Sequence, residues 1–417
     1  MRETATAEQE TKKGYKKTKL GWIPEEWQMK ALREISKIKR GRFSPRPRND
    51  PKYFGGLIPF VQTGEVTTSN GRIKTYSQTL NEEGLAVSQL FKEGTILITI
   101  AANIGYTAIL EIDMACPDSL IGIICNELVL NEFLNYSFIK KQKYIEYLAP
   151  AGAQKNINIE VLSPLKIILP PLPEQKAIAT CLNTWDTAIT QLNKLFEAKQ
   201  TQKQGLMQQL LSGKKRLPGF SGNWKRLKFE DVLKMAKRPV EWSDEELYEL
   251  ISVRRRSGGL FHRDSLYGHQ ILTKKLYTAK KGDFLMSKMQ ILHGASGLVT
   301  DEFDNMKISG SYIAVTPKNS KILDMNFLNW YSKTPLFYHQ TYRSSYGVHI
   351  EKMTFNYQLF KKEELRLPLK KEQTAITEIL NTADHEITLL KKKLKNLKLQ
   401  KKGVMQQLLT GKKRLNH

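Results

Sequence analysis

A chain of 417 residues with 40% hydrophobic side chains has enough apolar material for two cores of about 150 residues each and some long helix besides. Its 66 Lys and Arg against 41 Asp and Glu give a formal charge of +25, a positive field whose usual partner is nucleic acid, although charge alone does not imply sequence-specific binding. The three cysteines, Cys116, Cys125 and Cys181, are odd in number and lack metal-ligand spacing, which argues against a disulfide scaffold or zinc site and fits a reducing cytosol.

Residues 1–16 are polar, carry no apolar signal core, and are expected to be mobile and without export function, leaving a cytoplasmic chain. From 17 to 168 the pattern is that of a mixed α/β domain. Its most apolar run, Thr95 to Leu110, is interrupted by Asn103 and Gly105 and rich in β-branched residues, so it reads as two buried strands and not as a membrane span. Arg40, Arg42, Arg46 and Arg48, with Lys39, crowd one Pro-containing loop. Together with Arg72, Lys74 and Lys155 they are the candidate DNA contacts of this segment, most of them expected on phosphate and a minority on base edges.

Residues 169–217 form the next element. Ile178, Leu182, Trp185, Ile189, Leu192 and Phe196, followed by Lys199, Lys203, Leu206 and Leu210, recur at alternating steps of four and three, the seam of a coiled coil. A helix of roughly 35 residues would be a rod of about 50 Å. Gly213 stands where a left-handed cap would end it, with basic residues after the negative end of the dipole.

Residues 218–366 repeat the first domain faintly but in order. Lys92 to Leu97 matches Lys280 to Leu285, Ser119 to Ile123 matches Ser311 to Val315, Phe133 to Tyr136 matches Phe327 to Trp330, and Trp27 matches Trp224. The loops differ. Arg254, Arg255, Arg256 and Arg263 cluster here with His262, beside Gly and aromatic residues, and with Arg343 they are the candidate DNA contacts of this half.

Residues 367–417 form the last element, in which Leu367 to Leu415 repeats Leu169 to Leu217 without a gap, 27 of 49 positions being identical at an offset of 198. The seam returns as Ile376, Leu380, Ala383, Ile387, Leu390, Leu394, Leu397, Lys401, Val404 and Leu408, ending at Gly411. Each helix is the natural partner of the other, and an antiparallel pairing about a pseudo-two-fold axis is the simplest closure. Lys203 and Lys401 occupy equivalent seam positions, where they either fix register or snorkel past a frayed end. The repeated Asp186, Gln208 and Gln209, and Asp384, Gln406 and Gln407, are read as lying on outward faces. They are candidates for docking two copies of one partner, the alternative being that they preserve helix packing.

No catalytic constellation emerges. Asp50-Pro51-Lys52-Tyr53 lacks the second proline of an adenine-methyltransferase motif; Gly205 and Gly213-Lys214 have the wrong spacing for a phosphate loop; Pro117-Asp118 and Glu127 have no lysine completing a nuclease site. His262 and His269 read as polar surface residues.

The two domains, each ending in a Pro turn, Glu-Gln and a long helix that closes in Gln-x-Leu-Leu-(Ser/Thr)-Gly-Lys-x-Arg-Leu, resemble the specificity subunit of type I restriction-modification systems over nearly the whole chain. The resemblance is carried by Leu169 to Gln175 and by Gly152 to Ile157. Leu369-Lys370-Lys371 departs from the Pro-Leu-Pro spacer and is expected to loosen that turn. What the resemblance implies is a non-catalytic subunit with two target recognition domains, mixed α/β, held apart by an antiparallel helical pair. It would read double-stranded DNA as two unequal half-sites, about 34 Å or one turn apart, around an unread gap. It would dock two methyltransferase subunits and two restriction/translocase subunits, which would carry S-adenosylmethionine, ATP and Mg; no cofactor is expected in this chain and no membrane. A related two-part system with a combined nuclease-methyltransferase partner, and a non-specific basic nucleic-acid-binding protein, are the competing readings.

Overall fold

A computed structural model describes residues 13–149 and 156–415, with Glu351 described by its backbone alone. The chain divides into two compact units, one formed by the sequence up to Leu192 with that from Lys393 onward, the other by Asn193–Lys392. The division cuts through both long helices. They are continuous, Leu172–Leu210 and Lys370–Leu408, but the ends of each are built into the domain cores, so they do not form a separate layer.

In the first unit, Tyr15–Thr18 pairs with Gly21–Pro24, so the last residues of the segment expected to be mobile lie in a strand, while residues 1–12 lie outside those described. Gln28–Ala31 pairs antiparallel with Lys166–Leu169, tying the start of the domain to its end. Between them stand a five-stranded sheet in the order Ser36–Arg40, Leu120–Cys125, Ile96–Thr99, Thr107–Leu110, Arg72–Ile73, and a four-stranded sheet in the order Gln78–Leu80, Phe54–Phe60, Met114–Cys116, Gln89–Phe91. The apolar run at Thr95 thus supplies two adjacent buried strands, as expected. Gly94 turns into the first of them at φ +83°, a conformation that favours glycine.

The second unit repeats this order, with four strands where the first has a sheet of five. Lys225–Lys228 pairs with Glu364–Leu367; one sheet runs Leu233–Met235, Tyr312–Pro317, Phe284–Ser287, Ser296–Leu298, the other Leu260–Tyr267, Leu247–Val253, Lys307–Ser309, Leu276–Thr278. The matched stretches at Lys92 and Lys280, and at Ser119 and Ser311, fall on equivalent strands. One difference is local. The first unit has a single helix, Asn131–Tyr147, where the second has Met325–Tyr331 and Pro335–Arg343. Pro335 opens the second of these at its first turn, where its missing N–H costs nothing, and Thr334 caps it by accepting from the Phe337 amide.

Each core is closed by the helix ends. Trp27, Phe133, Phe138 and the isoleucines of the five-stranded sheet pack with Ile178 and Leu182 from the start of one helix and Met405, Leu408 and Leu409 from the end of the other. In the second unit Phe229 stacks on Phe360 with centroids 4.3 Å apart, and Phe327 and Trp330 pack with Ile376, Leu380, Leu210 and Leu211. Cys116 is buried and all three cysteines are free. Burial pushes the Cys116 thiol well up and that of Cys125 up to about 12. No helix among the described residues is long and apolar enough to cross a membrane.

Candidate nucleic-acid interface and helix-pair site

The repeated Glu-Gln dipeptides are buried and hold each helix to its domain. Gln175 accepts from the Leu130 amide and donates to Leu128 O and Pro170 O; Gln373 accepts from Asp324 N and donates to Ile322 O and Pro368 O. The bond to the proline carbonyl is 2.9 Å in both copies. The second turn is therefore not loosened by Leu369-Lys370-Lys371, because the glutamine, and not the spacer, fixes it. Glu174 receives Arg414 at 2.5 and 2.8 Å, and Glu372 receives Arg216 at 2.6 and 2.7 Å. These arginines, read from sequence as followers of a helix dipole, are bidentate clamps on buried carboxylates. Gly411 (φ +68°) and Gly213 (φ +72°) reverse the chain into them, against Trp27 and Trp224 respectively. The indole N–H of Trp27 donates to Glu174 at 2.8 Å, whereas that of Trp224 is buried with no partner among the described residues.

The seam lysines resolve in favour of register. In the first unit Lys401 Nζ lies 2.6 and 2.7 Å from the Asp186 carboxylate, which also accepts from the Tyr136 hydroxyl at 2.6 Å. In the second, Lys203 Nζ lies 2.6 Å from Asp384, and the Trp330 indole donates to Asn381 at 2.8 Å; the equivalent Asn183 lies 2.7 Å from the Tyr136 hydroxyl. Within each unit the helix segments consequently run antiparallel, Glu174 with Arg414 and Asp186 with Lys401, Lys203 with Asp384 and Arg216 with Glu372. The carboxylates of Asp186 and Asp384 are engaged across the pair while staying partly exposed, at 33% and 48% of the side chain; Gln208, Gln209, Gln406 and Gln407 are fully on the exposed side.

The candidate DNA contacts of the first unit gather only partly. Arg40, Arg42, Arg46 and Arg48 are all exposed, in the loop leading from Ser36–Arg40 to Phe54–Phe60. Arg48 pairs with Asp118 at 2.8 Å and Arg40 Nε donates to Asp118 O at 2.9 Å. Arg42 donates to Ala86 O and Ser88 O, and Arg46 to Pro45 O. Asp118, weighed above as the start of a nuclease site, instead shapes this loop. Gly41 must be glycine there, since a Cβ would stand 2.1 Å from Pro117 O. Arg72 does not join them. It sits at the opposite edge of the five-stranded sheet, drawn toward Glu132 at 3.4 Å and Glu111 at 3.7 Å; Lys74 follows it, exposed. Lys155 lies outside the described residues.

In the second unit Arg254, Arg255 and Arg256 form the turn of the hairpin between Leu247–Val253 and Leu260–Tyr267. Arg256 (φ +57°) and Ser257 (φ +54°) are both left-handed and Gly258 N donates to Arg255 O, which makes a type I′ turn built without its usual Asn-Gly. The turn is held by Arg256 N to His293 O at 2.6 Å, Ser257 N to Gly294 O at 3.0 Å, and a 3.0 Å bond between the Ser257 and Tyr338 hydroxyls. The Arg254 guanidinium covers the Phe261 ring at 4.5 Å. Arg263 is exposed on the second strand of the hairpin, next to His262, which meets Glu249 at 2.5 Å. Arg343 is placed elsewhere, at the end of its own helix, 3.6 Å from Glu363. Lys333, absent from the sequence-derived candidates, stands 4.0 Å over the Trp330 ring. Burial pushes its ammonium down, with Asp384 opposing and Lys203 adding to the effect. Its only sequence signal is the Ser332-Lys333-Thr334-Pro335 break.

These features define an internally duplicated two-domain protein with divergent basic loops on a common helix-bound frame. The profile of the type I restriction modification DNA specificity domain matches residues 24–200 and again 222–399, and the chain belongs to that family. It is 21% identical over 429 residues to the MjaVIII type I restriction enzyme specificity subunit of Methanocaldococcus jannaschii, covering 95% of each chain. It is 28% identical over 191 residues to the MjaIX specificity subunit of the same organism, a match that spans 43% of that protein. Among solved structures it shares its fold with the type I S subunit of M. genitalium (TM-score 0.57, 14% identity, 92% of this chain and 96% of that one). It shares it also with a chain from a study of complex assembly and conformational transition of the type I R-M system (TM-score 0.59, 16% identity, 93% and 99%).

Proposed function

We propose that this chain is the non-catalytic, cytoplasmic DNA-reading subunit of a type I restriction-modification complex, each domain engaging one half of an asymmetric, bipartite duplex target with an unread gap. The observation that carries this reading is a contrast between frame and loops. The same fold, Glu-Gln anchors and Lys-Asp pairs occur twice, while the Arg40–Arg48 loop and the Arg254–Arg256 turn, both basic and exposed, share neither sequence nor conformation. Two readers on equivalent mounts would read different bases. A mismatch in either half would cost roughly 1 to 3 kcal/mol, and joining the two in one chain supplies the effective concentration for the second engagement.

Two copies of a methyltransferase subunit need two equivalent surfaces, and Gln208-Gln209 and Gln406-Gln407 provide exposed, repeat-related ones. Restriction/translocase subunits would complete the complex, with S-adenosylmethionine, ATP and Mg on these partners. The test is selection from a random duplex library by the chain purified with the methyltransferase encoded beside it. Two unequal blocks at a fixed spacing are expected; a single block would mean one active reader, and no enrichment with a steep salt slope would leave a non-specific basic binder. Neighbouring genes separate a three-subunit system from a system whose partner combines nuclease and methyltransferase. Unchanged methyltransferase pull-down by Gln208→Ala with Gln406→Ala would remove those glutamines from the docking surface.

A further inference from the structure

Within the second unit lies a groove of about 980 Å³. Lys203 and Asp384 of the helix segments line one side, Arg255 and Arg256 of the hairpin turn another, and Trp330 with Lys333 lie between. Two ammonium groups share the Trp330 ring, Lys333 at 4.0 Å and Lys203 at 5.9 Å. Asp384 is the one carboxylate among the described lining residues, and it is bonded to Lys203. With Lys203 and Asp384 balancing each other, Arg256 and Lys333 still leave the concave wall positive, which calls for an anionic occupant.

Two observations choose among anions. The groove is continuous with the Arg254–Arg256 turn, whose left-handed Arg256 and Ser257 are held in place by backbone bonds to His293 and Gly294. A strained turn so over-determined points to a presented surface. Among the described residues of the first unit, moreover, no second lysine stands over the equivalent ring. Tyr136 takes the place of Trp330 with Lys401 5.0 Å over its ring, but the residue aligned with Lys333 is Ile139, which packs against the core. A protein partner docking twice through equal surfaces would need the groove twice; a duplex read differently by each half would not.

We infer that this groove receives the phosphodiester backbone of DNA engaged by the second domain, with Lys333 and Arg256 as phosphate contacts that add affinity without base preference. The inference rests on the DNA-reading function proposed above. It is tested with the full chain and a random-sequence duplex of about 30 base pairs, long enough for two half-sites, by anisotropy across a salt series. Lys333→Gln is expected to make the slope of log K on log salt shallower by about 0.9, the share of a single neutralised phosphate, with the selected motif unchanged. Lys333→Met, which keeps an unbranched chain over Trp330 without the charge, should lose the same share of the slope, whereas a packing role predicts that it keeps it, and circular dichroism checks that both variants fold. If wild type binds and Lys333→Gln retains its slope, the groove assignment falls while the DNA reading stands; if wild type does not bind duplex, both fall. Loss of methyltransferase capture with an unaltered DNA slope would overturn the assignment in favour of an acidic protein surface.

Discussion

Arg256 and Ser257 pay for a conformation that Asn-Gly adopts freely, so stability and function are expected to diverge at this turn. The double substitution Arg256→Asn, Ser257→Gly should raise the stability of the second unit by roughly 1 to 2 kcal/mol, read as a higher urea midpoint, while weakening duplex binding. A lower midpoint would mean that the arginine's contacts outweigh the strain. Lys140 makes the opposite kind of residue-scale case. Burial, then Lys141 and Lys412, push its ammonium down to about 8, and its Nζ reaches Leu409 O at 3.4 Å. Because the folded value lies below the unfolded one, the charged form is the disfavoured one in the fold. The penalty is full at neutral pH and is relieved as pH rises from about 8 toward the ordinary lysine range. Thermal melts of wild type should therefore rise over that window, and Lys140→Met should flatten the rise. At this scale little was legible in advance. The basic clusters could be named from composition, but that Arg72 answers to Glu111 and Glu132, or that Lys333 faces a groove, depends on strands and helices brought together from distant sequence.

For the elements, the helices were the most legible feature, because a stripe at steps of four and three over ten positions, apolar at all but the lysines, fits little besides a paired helix. What periodicity could not give was the third party. Asp186 sits beside the seam, not in it, and a helical wheel alone leaves it facing outward; Tyr136, fifty residues earlier, brings the domain against that face and turns the carboxylate into the centre of a network. The short strands were harder still, since most are only three or four residues long, and Ile96–Thr99, Thr107–Leu110, Met114–Cys116 and Phe284–Ser287 are buried on both sides, which erases alternation. The network makes a stability prediction. Asp186→Ala should cost about 3 kcal/mol by leaving the Lys401 charge half-buried and unpaired, whereas Asp186→Leu with Lys401→Met should return to within about 1 kcal/mol of wild type. The double variant keeps an apolar seam but loses the charged pair that specifies register at that level. Chemical denaturation of the two variants in parallel decides it, and equal losses in both would assign the effect to Tyr136 instead.

For the whole molecule, the pairings obey one rule. The partners of Glu174 and Asp186 are Arg414 and Lys401, and the repeat equivalents of those two are Arg216 and Lys203, which lie in the same repeat as Glu174 and Asp186. A single copy thus carries both halves of its own pairing code. A chain truncated after Leu217 is expected to self-associate as a dimer in sedimentation, with Glu174 meeting the Arg216 of a second copy, and Asp186→Lys should disperse it. A strictly monomeric fragment would show that the pairing needs covalent linkage. Domain duplication was readable from the repeat itself; that the helix ends complete each core was not, because an apolar seam and a core contact look alike in one dimension.

The ungapped 198-residue offset has a consequence for inheritance. Two in-frame direct repeats in one gene are substrates for homologous exchange. A crossover within them deletes or exchanges a domain together with a helix that already speaks the same pairing code. New combinations of readers can then arise in one genetic event, with the joint between them pre-adapted and only the loops left to selection.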